Sequence, residues 1–208
     1  MLKTKPMMPT DFRTALMEFI RREASPTEKY GHQPRLYALT QKIGNGLQYD
    51  DDVVFAAAWL HDLGVFVGHR PEDPAELARW DHVRYACERV PQILNDAGFP
   101  AEKVPAVLAA IREHQPQDYP TSIDATILRD ADILEQLGAI GALRTVAKVG
   151  RDTRYATFTD AVKTLQKNLA TLPEKIRLES TKRLAEPRIA ALRNFLDAVE
   201  SESAGALF

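Results

Sequence analysis

Val53-Val54-Phe55-Ala56-Ala57-Ala58-Trp59-Leu60-His61-Asp62-Leu63-Gly64 joins eight consecutive apolar residues to a histidine and an aspartate. Asp50-Asp51-Asp52 precedes it and supplies an N-cap with charges that suit the positive end of a helix. The pattern predicts a helix through Leu63, closed by Gly64. Being apolar all round, that helix must be buried. It carries His61 and Asp62 inward at its C-terminal end. A carboxylate there is costly unless something positive meets it, and the helix end is itself partly negative. A divalent cation satisfies both needs. The plainer reading is an Asp62 that reaches solvent and a His61 hydrogen-bonded in the core.

On either side the patterning is helical as well. Asp11 to Ala24, preceded by Thr10, places Phe12, Leu16, Phe19 and Ile20 at helical spacing, and Ser25-Pro26 stops it. Pro34 suits the first turn of a second helix with Leu36, Leu39 and Ile43 as its stripe, ended by Gly44-Asn45-Gly46. Beyond the loop Val65 to Asp73, one helical run is expected from Pro74 to Ala97, bent at Pro91. Another runs from Pro100 to His114, and the Pro116 to Pro120 stretch breaks it. Ile123 to Val149 is helical in composition, with Gly138 and Gly141 inside it. Two last helices are expected near Thr159 to Leu172 and Glu174 to Glu200, the second with Ile189, Leu192, Leu196 and Val199 as its stripe. No alternating strand pattern or repeat interrupts the series, so the expectation is one all-α domain.

Composition narrows the function classes. The 208 residues include 45% hydrophobic residues, enough for a sizeable core. Lys and Arg number 27 against 29 Asp and Glu, a net charge of -2, so there is no global basic footprint for a nucleic-acid polymer. Cys87 stands alone, which excludes intramolecular disulfides and cysteine-based zinc clusters. The opening MLKTKPMMPTDF has no apolar core of a signal peptide, and no stretch approaches the roughly 20 apolar residues of a membrane span. The expected setting is the cytoplasm, without membrane attachment. No P-loop, GxSxG or GxGxxG element occurs.

Four of the five histidines, His32, His61, His82 and His114, lie at helix ends or on amphipathic helices. Imidazole and carboxylate donors suit Mn, Fe, Co, Ni or Zn, and Mg prefers the oxygens. Such an N/O set suits a catalytic centre with open water positions better than a closed structural site. A further acid is available in Leu128-Arg129-Asp130-Ala131-Asp132-Ile133-Leu134. Two residues apart on a helix is about 200°, so only one of Asp130 and Asp132 faces a given site, and periodicity does not choose between them. Arg35, one turn after His32, can hold a phosphate bidentately or serve as a surface salt bridge. Arg112, two residues before His114, points away from it. His69 in Gly68-His69-Arg70 is expected in solvent on a loop that can cover the site, and Cys87 is expected as a small buried apolar residue. The Arg144, Lys148, Arg151, Arg154 cluster reads as a solvated helix end, with a basic substrate rim as the other use.

The ordered set of His32, His61-Asp62 within AAAWLHDLG, and Asp132 within RDADILEQLGAIGALR resembles the HD-domain metal-dependent phosphohydrolase superfamily. It is most similar to small stand-alone members with a GAIG-type stretch and a C-terminal helix like TKRLAEPRIAALRNFL, here Thr181 to Leu196. The resemblance implies an HD-like helical bundle over 1–208. Its metal-site core would span about 28–150, with C-terminal helices over 157–200 packed on it. It implies one divalent metal on His32, His61, Asp62 and Asp132, the second acid of the DxD-like motif being the ligand. His82 and His114 would bind a second metal or the substrate phosphate, or act as general acid, and Asp62 would bridge two metals. Two departures from the family pattern bear on substrate class. Ile133 stands where a Lys or Arg often helps hold phosphate, and Gln33-Pro34-Arg35 is an uncommon version of its segment.

The implied activity is metal-assisted hydrolysis of a phosphate monoester or diester of a nucleotide or small phosphometabolite, with Asp62 or a metal-bound water as proton acceptor. The expected partner is that small phosphoester, and a homodimer is compatible with it. Two other readings use the same residues: a metal- and nucleotide-binding regulator without turnover, and a di-iron oxygenase on the same scaffold.

Overall fold

The computed structural model describes residues 11–152 and 154–207; the opening stretch through Thr10 lies outside them. The protein is all-α. Among the described residues ten α-helices follow in order: α1 (Phe12–Glu23), α2 (His32–Gly44), α3 (Asp51–Leu60), α4 (Pro74–Leu77), α5 (His82–Asp96), α6 (Val104–Arg112), α7 (Ile123–Glu135), α8 (Gly138–Val146), α9 (Phe158–Thr171) and α10 (Glu179–Ser203). Among the described residues the only extended pairing is an isolated bridge between Val67 and Arg70. None of their helices is long and apolar enough to cross a membrane.

Contacts gather into two compact units. The first runs up to Tyr37 and resumes over Asp50–Arg112. The second comprises Ala38–Tyr49 and Glu113 onward. In the first unit, α3 packs against α1, α5 and α6. Every residue from Val53 to Leu60 is buried, as an all-apolar helix requires. The Asp50 carboxylate caps α3 by accepting from the backbone N–H groups of Asp52 and Val53.

The acids at the head of α3 tie the first unit together. Asp52 accepts from Lys103 Nζ at 2.9 Å and from Arg13 Nη2 at 2.6 Å. Those two cations hold its carboxyl below the usual carboxylate range. A carboxyl lowered by folding contributes stability that is complete above its unfolded value of about 3.9 and lost as pH falls through the folded value. Wild type is therefore expected to lose more stability on acidification than Asp52→Asn, which starts lower at neutral pH. Denaturant melts across the acid range check this, and parallel curves for the two proteins would refute it.

In the second unit, α10 packs against α7, α8 and α9, with Leu192 and Leu196 buried on its inner face. Asp130 settles the entry to α10. Its carboxylate is fully buried and accepts from the backbone N–H groups of Arg177, at 3.2 Å, and Leu178, at 2.9 Å. Burial pushes the Asp130 carboxyl up, while those two N–H groups pull it down. Arg129 lies 3.5 Å away and spends its guanidinium on the carbonyls of Gln115, Pro116 and Lys175. Asp130→Ala orphans the two N–H groups and is expected to cost about 2–3 kcal/mol in urea unfolding. An unchanged midpoint would show that α10 starts without this acid.

Several sequence expectations need correction. The third helix ends at Leu60, not Leu63, and Leu63–Val65 forms a separate 3₁₀ turn. Asp62, at φ -97 and ψ 14, already lies outside α3. The run Pro74 to Ala97 is two helices, broken between Leu77 and His82 rather than at Pro91, which lies inside α5. Ile123 to Val149 also divides, at Gly138, whose φ of 78° L side chains rarely adopt. The last helix starts at Glu179, later than Glu174. Cys87 is half-buried rather than a core residue.

Candidate metal centre

Leaving the helix at Leu60 aims the two polar residues that follow. His61 is fully buried, and its Nδ1 lies 3.1 Å from the carbonyl of Ala58, one turn back. That contact places the proton on Nδ1 and leaves Nε2 with a lone pair. The Nε2 of His32, the first residue of α2, lies 3.4 Å from it. Asp62 Oδ2 stands 3.7 Å from His32 Nε2 and 3.6 Å from His61 Nε2.

These three atoms form a nearly equilateral triangle of sides 3.4, 3.6 and 3.7 Å. Its circumcentre lies about 2.1 Å from each corner, the bond length of nitrogen and oxygen donors to zinc and similar ions. The donor set therefore fits a divalent metal in both chemistry and spacing. The other oxygen of the same carboxylate points elsewhere: Asp62 Oδ1 is 3.9 Å from Nε2 of His82, the first residue of α5. One acid thus faces a histidine pair with one oxygen and a third histidine with the other.

The first unit accordingly brings together His32, His61, Asp62 and His82. Asp62 is 21% exposed and His82 27%, so this side of the cluster meets solvent while the histidine pair does not. Arg35 is half-buried one turn along α2, and its Nη1 would stand 2.9 Å from a Cβ at Gly31, so the missing side chain there makes room for it. His114 and Asp132 belong to the second unit. His114 is buried, just past the end of α6. Asp132 is half-buried on α7 and accepts from the Gln136 amide at 3.1 Å. With Asp130 spent on the backbone before α10, Asp132 is the acid of that pair with a solvent-facing side. Arg112 is exposed, as its spacing predicts.

Two features escape a sequence reading. Gly64 reads as a helix stop, but its role is a close approach. A Cβ on it would stand 2.7 Å from the carbonyl oxygen of His82 and 2.8 Å from its Cα. The Trp80 indole N–H fixes the same junction by donating to the Gly64 carbonyl at 2.8 Å. Gly64→Ala must push the start of α5, and His82 with it, away from Asp62. It is expected to lower stability by about 1–3 kcal/mol, read from thermal melts. A melt matching wild type would show that α5 yields freely.

His69 is the second, and here the expectation of a solvent-exposed side chain is wrong. It is 12% exposed, with Nε2 2.9 Å from Glu23 Oε2 and Nδ1 2.9 Å from the Tyr85 hydroxyl. It pins the loop after His61-Asp62 to α1 and α5. Nothing nearby in sequence signals this, because Glu23 lies 46 residues away.

The HD domain model matches residues 30–137, about half of the chain, and the protein belongs to the HD-domain family. No curated protein matches the sequence. Among solved structures it is similar to Lin1889 from Listeria innocua, at 18% identity and a TM-score of 0.71 over 96% of this chain and 99% of that one. It is also similar to Bacillus subtilis YpgQ in complex with ADP, at 21% identity and 0.73 over 96% and 98%. A predicted HD superfamily hydrolase from an uncultured Thermotogales bacterium aligns at 23% identity and 0.61 over 91% of both chains. At such identities the likeness speaks for the fold.

Proposed function

We propose that the protein is a metal-dependent phosphohydrolase acting on a phosphate monoester or diester, of a nucleotide or small phosphometabolite. The observation that carries the reading is the triangle of His32 Nε2, His61 Nε2 and Asp62 Oδ2 around a point about 2.1 Å from each. Membership of the HD-domain family supports it, and the family pattern assigns Asp132 as the fourth ligand. The ADP held by Bacillus subtilis YpgQ, a protein of the same fold, favours a nucleotide.

A divalent ion held by these residues would polarise the phosphoryl oxygen and acidify a water nucleophile. His61, oriented through Ala58, and His32 direct their Nε2 atoms inward. Asp62 takes the proton of the attacking water. His82, on the solvent side of Asp62, and His114 serve a second metal, bind the phosphate or protonate the leaving group. Arg35 contributes a phosphate contact. The test is hydrolysis of ADP and of glycerol phosphate by protein supplied with Mn, Co, Ni, Zn or Mg. Chelator-sensitive release of phosphate is expected. Turnover of neither ester with any metal would refute the reading.

A further inference from the structure

A buried acid near the end of α7 has no part in the proposed reaction. Glu135 is the last residue of that helix and 1% exposed. A carboxylate there is withdrawn from water and also faces the partly negative helix end. Arg144 on α8 meets it. Its Nη1 lies 3.3 Å from Glu135 Oε2 and 3.3 Å from the Glu135 carbonyl oxygen. The turn at Gly138 brings α8 back along α7, so a residue nine positions away can make this contact.

Both contacts use one nitrogen. Nε and Nη2 of Arg144 have no partner among the described residues, and the side chain is 30% exposed. One nitrogen of the guanidinium is tied down while its Nε–Nη2 edge is open, and that edge matches the oxygen pair of a phosphate. Arg129 on α7 makes a useful contrast, because carbonyl groups engage its Nε, Nη1 and Nη2. The location also matters. Glu135 follows Asp132 by three residues on the same helix, so the two are neighbours on one face of α7. Ile133 beside them is fully buried and uncharged.

We infer that Arg144 binds two phosphate oxygens of the substrate beside Asp132, with Glu135 as the positioning residue that fixes its guanidinium. This rests on the phosphohydrolase reading and adds a phosphate-binding residue to it. The experiment titrates inorganic phosphate calorimetrically into metal-loaded wild type, Arg144→Gln, Glu135→Gln and the Glu135→Gln/Arg144→Gln double variant. Metal content and melting temperature are read on each.

Arg144→Gln is expected to weaken phosphate binding about tenfold or more, with metal content unchanged. Because it takes a hydrogen-bond donor from the buried Glu135, it also melts lower. The double variant removes that buried charge, so it melts close to wild type and still binds phosphate weakly. Glu135→Gln keeps the guanidinium but loosens it, giving an intermediate affinity and a raised KM with kcat little changed. Phosphate affinity equal to wild type in the double variant, or no phosphate binding by wild type, overturns the inference. Arg144-dependent phosphate binding without hydrolysis of any ester would sink the phosphohydrolase reading and leave the anion site standing. Hydrolysis that persists with phosphate affinity unmoved sinks the inference alone.

Discussion

Asp62→Ala is expected to reduce phosphoester turnover by about 10³-fold or more, equivalent to roughly 4 kcal/mol of barrier. The size follows from how many roles one carboxylate holds. Oδ2 closes the triangle with His32 and His61, Oδ1 faces His82, and the proposed proton acceptor is the same group. Asp62→Asn separates charge from shape. It should abolish activity as well, yet leave the metal-free protein no less stable, because it removes a carboxylate charge from beside the partly negative end of α3. Steady-state kinetics and melts of the metal-free proteins check both halves. Near-normal turnover would remove Asp62 from the chemistry. A large loss of stability in the metal-free Asn variant would mean that its charge holds the fold.

Chelation carries the second large effect. An ion that binds only the folded state stabilises it by RT ln(1 + [L]/Kd), about 4 kcal/mol when the free metal is a thousandfold above Kd. For a chain of this length that corresponds to roughly 8–16 °C in melting temperature. The site supplies the physical cause, since the buried His32 and His61 and the Asp62 carboxylate bring three donor atoms within 3.7 Å of one another, where one cation meets all three. Removing the metal, verified by elemental analysis, should therefore lower the melt by about that amount, and restoring it should reverse the change. An identical melting temperature with and without metal would contradict a metal at this position.

The residues that read clearly from sequence are those whose neighbours in the chain decide their fate. The eight apolar residues of α3 require burial on every side, and Asp50 caps the helix through N–H groups two and three residues on. Ser25-Pro26 and Gly44-Asn45-Gly46 bound helices as their backbone preferences demand. The reading fails where a distant partner decides. Asp130 and Asp132 look alike on α7, and what separates them is a pair of N–H groups 47 and 48 residues later. The break before α5 depends on Trp80 reaching Gly64 and on the Asp81 carboxylate capping the helix, whereas Pro91 is accommodated. The end of α3 at Leu60 could not be read from local propensity either. His61 Nε2 and Asp62 Oδ2 stand 3.6 Å apart because the chain has left the helix by Asp62, at φ -97 and ψ 14.

The proposal on which the rest depends is that His32, His61 and Asp62 hold a divalent metal, with Asp132 as the further ligand that the family pattern implies. Elemental analysis of untagged protein, run in parallel on wild type and Asp132→Ala, tests it most directly. The account predicts about one or two equivalents of metal per chain in wild type and a marked loss in the variant. Full occupancy retained in Asp132→Ala would contradict the ligand set. Wild-type protein that takes up no metal, even when incubated with each candidate ion, would contradict the site itself.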